Sequence, residues 1–240
     1  MAGKGDGSTV EYAKRIQAER ARGVAEAVEG FDFEHLPEKP LYRFVKRAFD
    51  IVFSAAVLVL FCWLYAIVAV AVKVDDPASP VVFRQTRIGR DGEPFTLYKF
   101  RSMTPDAEER LADLRELNEK DGPVFKLVND PRVTRVGRVL RKFSLDELPQ
   151  FVNVLSGKMS VVGPRPGLTC EVEQYTDRDR LRLLVKPGIT CYWQCRANRD
   201  LISFEDWVNL DLLYIKKRGF WTDFKIIVQT VGIVLMAQGI

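Results

Sequence analysis

Two adjacent carboxylates, Asp146 and Glu147, sit in the run Ser144-Leu145-Asp146-Glu147-Leu148-Pro149-Gln150. Carboxylates at a helix start feel the positive end of its dipole, which keeps them ionised at neutral pH. An ionised Asp can attack a phosphoryl group and hold it as an acyl phosphate, while its neighbour holds a metal or moves a proton. The same spacing also reads as plain architecture. Ser144 with Glu147 three residues on is a capping box, and Asp is common in a first helical turn. Pro149 complicates either reading, because it removes a backbone donor early in the helix. This run alone leaves both open.

Cations cluster on both sides of the pair. Asn129-Asp130-Pro131-Arg132 is followed by Arg135, Arg138 and Arg141, a three-residue spacing that gathers guanidinium groups on one side of a helix. Such a face suits phosphate oxygens, or is simply solvated. Downstream, in Ser160-Val161-Val162-Gly163-Pro164-Arg165-Pro166-Gly167, two prolines bracket Arg165 and pre-position its guanidinium. Turn formation accounts for the Gly and Pro residues there, but not for the arginine between them. His35 is the only histidine among 240 residues, so any Ser-His-Asp or Cys-His scheme would need a peripheral segment. Cys191 and Cys195 have helical i,i+4 spacing, yet with one distant histidine a zinc site is disfavoured. The four scattered cysteines read as reduced thiols rather than a disulfide framework. Chemistry falls to carboxylates, Lys, Arg or a metal.

The elements that must hold these groups follow from pattern. Residues 1–8 are Gly-rich and polar, the composition of a disordered lead. An exposed helix is expected over residues 11–28, ended by Gly30. Few large apolar residues lie in residues 1–40, which read as a polar, solvated appendage. Residues 51–72 carry no charge. As a helix they would extend roughly 33 Å, enough for one bilayer crossing. They lie too far into the chain for a cleaved secretion signal, and Arg43, Lys46 and Arg47 before them favour a cytoplasmic side.

Residues 81–88 and 95–101 alternate as two strands joined through Asp91-Gly92, a hairpin turn signal. Thr104-Pro105 opens a helix with Leu111, Leu114 and Leu117 as its buried stripe, ended by Asp121-Gly122-Pro123. Further helices are expected near 145–155, 171–184, 204–218 and 222–237. The last is so apolar that it is either deeply packed or lies at a membrane interface. One hairpin among many helices predicts an α+β fold. A mostly helical domain over residues 76–240 then follows a membrane-inserted helix over residues 41–75. The net charge of +4 suits anionic lipid head groups or phosphorylated small molecules as partners, and is weak for nucleic acid.

Taken in order, these segments are similar to the bacterial sugar transferase family, the monotopic phosphoglycosyl transferases. The resemblance is carried by Lys46-Arg47 with Asp50, Phe83-Arg84-Gln85-Thr86-Arg87-Ile88-Gly89, Tyr98-Lys99-Phe100-Arg101-Ser102-Met103 and the 144–150 run. Asn153-Val154-Leu155 through Gly157, the 160–166 run, Pro187-Gly188-Ile189-Thr190 with Trp193-Gln194, and the 211–214 region complete it. It covers residue 41 to about residue 237.

The resemblance implies an enzyme that moves a sugar 1-phosphate from a nucleoside diphosphate sugar, usually a UDP-sugar, onto polyprenyl phosphate. The products would be a polyprenyl-diphosphate-sugar and UMP, in a first membrane step of surface glycan assembly. By motif position it implies Asp146 as nucleophile, forming an aspartyl-phosphosugar intermediate. Glu147 would bind Mg²⁺ or assist proton transfer. Arg165 would contact phosphate, with Lys99, Arg101 and Arg141 as further contacts. Arg199 joins them only if one residue is inserted after Trp193-Gln194, where family members often carry a Gly-Arg pair. A diphosphate and a lipid phosphate approaching a carboxylate need such cations against repulsion.

Nucleotide sugars are cytosolic, so the domain is expected on the cytoplasmic face of a bacterial inner membrane. The apolar stretch is then expected to enter and turn back rather than span, with interfacial amphipathic helices beside it. The Ser-Pro that members usually carry at its middle is here Cys62-Trp63, so no proline breaks this helix. The sugar is left open, and a homo-oligomer is compatible with the pattern. A non-catalytic membrane scaffold binding anionic lipid is the alternative, and an Asp-phosphate hydrolase using water as acceptor is a third reading.

Overall fold

The computed structural model describes residues 7–196 and 202–236, with side chains described from residue 18 onward. The lead forms helix α1 (Gly7–Val28), so of the expected disordered residues Gly7 and Ser8 are helical, and residues 1–6 lie outside the described part. Gly30 ends the segment at φ 67°, a left-handed conformation that glycine adopts without strain. The expected solvated appendage is corrected. Val28 and Phe33 are buried, and Val24, Phe31 and Leu36 pack beside them on the main core. Lys216 donates to the Ala27 carbonyl at 2.7 Å and lies over the Phe31 ring. Too few apolar residues to build a core are still enough to cover an existing one.

The uncharged stretch is not one helix. It divides into α2 (Pro40–Leu60) and α3 (Cys62–Asp75), bent by 62° at Phe61 without a proline. Each half docks on a different surface. On α2, Arg47 donates to the Val154 and Leu155 carbonyls at 2.6 and 2.8 Å, and Asp50 accepts from Ser160 Oγ and Val161 N–H at 3.0 Å. On α3, Val68 and Val72 pack with Phe100 and Leu140, and Tyr65 Oη donates to the Leu148 carbonyl at 2.7 Å. The bend lets both halves dock. Among the described residues no single helix is long and apolar enough to cross a membrane; only this bent pair passes by length and composition.

The expected hairpin forms from β1 (Val82–Ile88) and β2 (Pro94–Phe100), in register from Val82 opposite Phe100 to Ile88 opposite Pro94. Asp91 at φ 57° and Gly92 at φ 81° make the mirror-image turn that suits a twisted hairpin. The helix expected from Thr104 does not form. Only α4 (Leu111–Leu114) and a following 3₁₀ turn appear; none of the three leucines is buried, and Leu117 is exposed. Two tethers hold the segment in another shape. Met103 bridges to Val133, and Asn118 binds the backbone of Lys120, Val124 and Lys126.

Helix α5 (Arg135–Lys142) starts at Thr134, whose hydroxyl accepts from Gly137 N–H. Helix α6 (Gln150–Leu155) is shorter than expected, because residues 145–147 form a separate 3₁₀ turn. Then come β3 (Ser160–Val162), β4 (Gly167–Leu168), α7 (Thr169–Val172), α8 (Asp177–Arg180), β5 (Gly188–Thr190), α9 (Phe204–Lys217) and α10 (Phe220–Leu235). The helix expected over residues 171–184 is thus broken into single turns. The sheet also exceeds the one expected hairpin: β4 joins it in the order β2-β1-β4, and β3 pairs in parallel with β5. A mixed α+β arrangement with helix predominant stands.

The main core gathers around α9 and β3, where Val154, Met159, Val162, Val208, Tyr214 and Ile215 are fully enclosed. Helix α10 splits its faces: Ile226 is buried, while Trp221, Phe224, Val228 and Leu235 are exposed. Inside the core, Asp211 is fully buried and takes Arg182 Nε and Nη2 at 2.8 and 2.7 Å. Asp211→Asn removes the one ion-pair partner that the buried Arg182 guanidinium has among the described residues. A loss of about 3 kcal/mol or more is expected, read as a lower midpoint in denaturant unfolding; an unchanged midpoint would show that Arg182 does not need the charge.

Candidate active site

Asp146 and Glu147 stand on a sharp connection between α5 and α6. Helix α5 ends at Phe143, and Ser144 turns the chain at φ 54° and ψ 25°. Leu145 and Leu148, on either side of the pair, pack against the small core of Val68, Val72, Phe100 and Leu140. The capping box is absent. Ser144 makes no side-chain cap, and Glu147 Oε1 accepts from Lys99 Nζ at 3.0 Å instead. The side chains therefore belong to the tertiary site rather than to a helix end.

Asp146 is buried, at 7% exposure, whereas Glu147 is half-buried. Burial pushes the Asp146 carboxyl above its ordinary range, and the neighbouring Glu147 charge adds to this; Lys99 and Arg141 pull the other way. A three-residue 3₁₀ turn offers little dipole, so the expected helix-end stabilisation is replaced by these two cations. Lys99 comes from β2 and Arg141 from the last turn of α5, where its Nε donates to Ser102 Oγ at 3.2 Å. Close approach of α5 to that segment requires Gly137, because a Cβ there would collide with the Ser102 carbonyl.

Arg165 comes from a separate segment, the loop between β3 and β4. Its loop is clamped to β5: Gly163 N–H donates to the Thr190 carbonyl at 3.0 Å, and Gly188 N–H donates to the Pro164 carbonyl at 2.9 Å. A side chain on Gly163 or Gly188 would drive into the other's backbone segment. This places Arg165 on a small, partly open cleft that Arg87, Lys99, Glu147, Gln150 and Gln194 also line. Asp146 does not line the cleft, but it is next to Glu147 in the chain and within the field of Lys99 and Arg141, and Arg141 in turn feels Arg165.

The remaining basic candidates separate. Arg101 donates to the Pro80 carbonyl at 2.9 Å and lies over the Phe83 ring, at the open end of the hairpin. Arg132 is tied to Asp130 at 2.6 Å, while Arg135 and Arg138 are exposed. The three-residue spacing thus delivers only Arg141 to the pair. Arg199 lies outside the described residues. Arg87, Gln150 and Gln194 were not singled out as site residues by pattern. The usable signal for Arg87 was its inward position on an alternating strand, beside Phe83 and Gln85.

Among the described residues no group of three or more His, Cys, Asp and Glu side chains converges. Mg²⁺ commonly takes one or two carboxylates and completes its octahedron with water and substrate phosphates. Glu147, lining a basic cleft with Lys99, Arg87 and Arg165, is a carboxylate of that kind.

A family model described as "Bacterial sugar transferase" matches residues 41–237. The chain is 40% identical over 227 residues to the galactosyl transferase CpsE of Streptococcus agalactiae serotype III, covering 94% of this chain and 49% of that one. It is 43% identical over 212 residues to the UDP-glucose:undecaprenyl-phosphate glucose-1-phosphate transferase of Escherichia coli, covering 82% and 43%. It is 38% identical over 205 residues to the exopolysaccharide production protein ExoY of Rhizobium meliloti, covering 84% and 90%. The chain therefore spans less than half the length of the first two relatives and most of the third.

The left-handed backbone at Ser144 makes a prediction that a capping role would reverse. Ser144→Gly relieves the strain of a non-glycine residue there and should raise stability by about 0.5–1 kcal/mol in urea unfolding. A capping side chain would instead register as a small loss.

Proposed function

The chain belongs to the bacterial sugar transferase family, and on that premise we propose that it transfers a sugar 1-phosphate from a UDP-sugar to polyprenyl phosphate. The observation that carries this reading is that Asp146 is buried and feels the charges of Lys99 and Arg141, while its neighbour Glu147 lines a cleft with Lys99 and Arg165. A carboxylate oxygen of Asp146 attacks the phosphorus that bears the sugar. The new acyl–phosphate bond forms as the bridging oxygen bond of the diphosphate breaks, and UMP leaves with that oxygen. A phosphate oxygen of the lipid then attacks the same phosphorus. The acyl–phosphate bond breaks, Asp146 is released as a carboxylate, and the polyprenyl-diphosphate-sugar departs.

Each neighbour has a part. Burial strips water from Asp146 and raises its proton affinity, which strengthens it as a nucleophile provided it stays ionised. Lys99 and Arg141 keep it so. Arg165 and Lys99 offer donors to phosphate oxygens, where developing charge is best met by groups already in place. Glu147 would hold Mg²⁺, which when bound neutralises charge on the phosphate oxygens.

The lipid acceptor accounts for the exposed apolar faces. Phe44, Val52, Leu60, Trp63, Ile67 and Val74 on α2 and α3 point outward, as do Trp221, Phe224 and Leu235 on α10. The bent α2–α3 pair is proposed to enter the membrane and turn back, with α10 along its surface. The cleft then lies on the cytoplasmic face of the inner membrane, where UDP-sugars are found.

Purified protein in lipid nanodiscs, given UDP-sugars, Mg²⁺ and polyprenyl phosphate, should release UMP only when the lipid phosphate is present. Lipid-independent release would instead support hydrolysis, and no release with any common UDP-sugar would support a scaffold. Asp146→Asn is expected to lower turnover by at least about 10³-fold while the protein stays folded; retained activity would remove Asp146 from the mechanism. Chelation with EDTA should stop the reaction and added Mg²⁺ restore it, whereas indifference to chelation would dismiss the metal.

A further inference from the structure

Arg87 is a buried guanidinium, at 7% exposure, and among the described residues no carboxylate is bonded to it. Its Nε and Nη2 donate to Gln85 Oε1 at 3.1 and 2.8 Å, and its Nη1 donates to the Pro166 carbonyl at 3.1 Å. Neutral acceptors satisfy the donors but leave the charge. Burial pushes the group down to about 10, and Arg165 nearby adds to this, while Glu171 and Glu147 partly hold it up. Glu147 is already bonded to Lys99, and Glu171 to the Leu168 N–H. A buried cation in this position costs stability unless an anion shares its surroundings.

The backbone around Arg165 shows what the residue is for. On one side, Gly163 and Pro164 are anchored to β5. On the other, Gly167 and Leu168 pair with Ile88 and Arg87 of β1. Between these anchors, Pro166 has no backbone N–H to give, and its carbonyl is held by the Arg87 side chain. Arg87 therefore grips the Arg165 loop twice, once through its main chain at Leu168 and once through its guanidinium. Both arginines face the same cleft.

The geometry points to Arg87 as the positioning residue for Arg165: its guanidinium, steadied by Gln85, fixes the Pro166 carbonyl so that Arg165 meets the diphosphate of the donor. This deepens the transferase reading and rests on it for the identity of the anion. The Arg87 charge also makes the cleft a better host for that anion than Arg165 alone. A shift of about 1 Å in a substrate-positioning group can cost on the order of 10²-fold in rate, so a loosened loop should be visible in kinetics.

The test is a double-mutant cycle on the full chain in nanodiscs, with Arg87→Lys, Gln85→Leu and Arg165→Ala alone and in pairs. Arg87→Lys keeps a charge but cannot bridge Gln85 and Pro166 together. It should lower kcat/KM for the UDP-sugar by about 10- to 100-fold, mainly through KM of the donor, with KM of the lipid phosphate unchanged. Gln85→Leu should give a smaller loss of the same kind, and it reads the same linkage if Arg87→Lys fails to fold. In the Arg165→Ala background either substitution should cost less than about 2-fold, because their effect passes through Arg165. Additive losses, or an Arg87→Lys enzyme with the wild-type donor KM, overturn the proposal.

Calorimetric titration with UDP repeats the cycle without turnover. Coupling there in a chain that transfers nothing keeps the positioning role and removes the transferase reading. Transfer with additive losses does the reverse, and a chain with neither UDP binding nor transfer overturns both.

Discussion

Everything around the cleft follows from keeping a carboxylate out of water beside a second one. Two like charges about 4 Å apart repel by about 4 kcal/mol at an effective dielectric of 20, and burial of Asp146 adds to that cost. Lys99 and Arg141 offset it, but they come from a hairpin strand and from a helix end. The α5–α6 connection must therefore be pressed against β2, which Gly137, the Tyr65–Leu148 hydrogen bond and the small apolar core achieve together. The burial of Asp146 and the cations that act on it thus arise from the same packing.

The second arrangement links this cleft to the apolar exterior. Helix α2 reaches the interior through charged side chains. Lys46 donates to Asp223 and to the Val162 carbonyl, Arg47 caps the end of α6, and Asp50 holds the start of β3. Tyr42 and Tyr214 complete the cluster at Asp223. The same helix exposes Phe44, Val52 and Leu60. One helix thus joins an exposed apolar face to the strand that leads into the Arg165 loop.

Local chemistry was readable where neighbours in sequence are neighbours in space. Strand alternation and Asp91-Gly92 specified the hairpin, and the apolar spacing of α9 and α10 placed both helices to within a few residues. Asp146-Glu147 stood out as adjacent carboxylates able to carry phosphoryl chemistry, and Arg165 because turn formation does not explain an arginine between two prolines. The failures share a cause. Leu111, Leu114 and Leu117 had helical spacing, but Asn118 and the Met103–Val133 bridge hold that segment to other backbone. Ser144 and Glu147 matched a capping box, yet Lys99, some 48 residues away in the chain, outcompetes the cap.

By itself the sequence determined the family, the hairpin, the apolar stretch and the residue types able to carry phosphoryl chemistry, since turn preferences, periodicity and charge are properties of short windows. Tertiary structure alone decided the bend at Phe61, the parallel pairing of β3 with β5, the docking of residues 24–36 and the separation of Arg141 from Arg135 and Arg138. It also decided that Arg87 stands beside Arg165 in a common cleft. These depend on which distant surfaces meet, and burial, the effective dielectric and hydrogen-bond competition take their values only when they do.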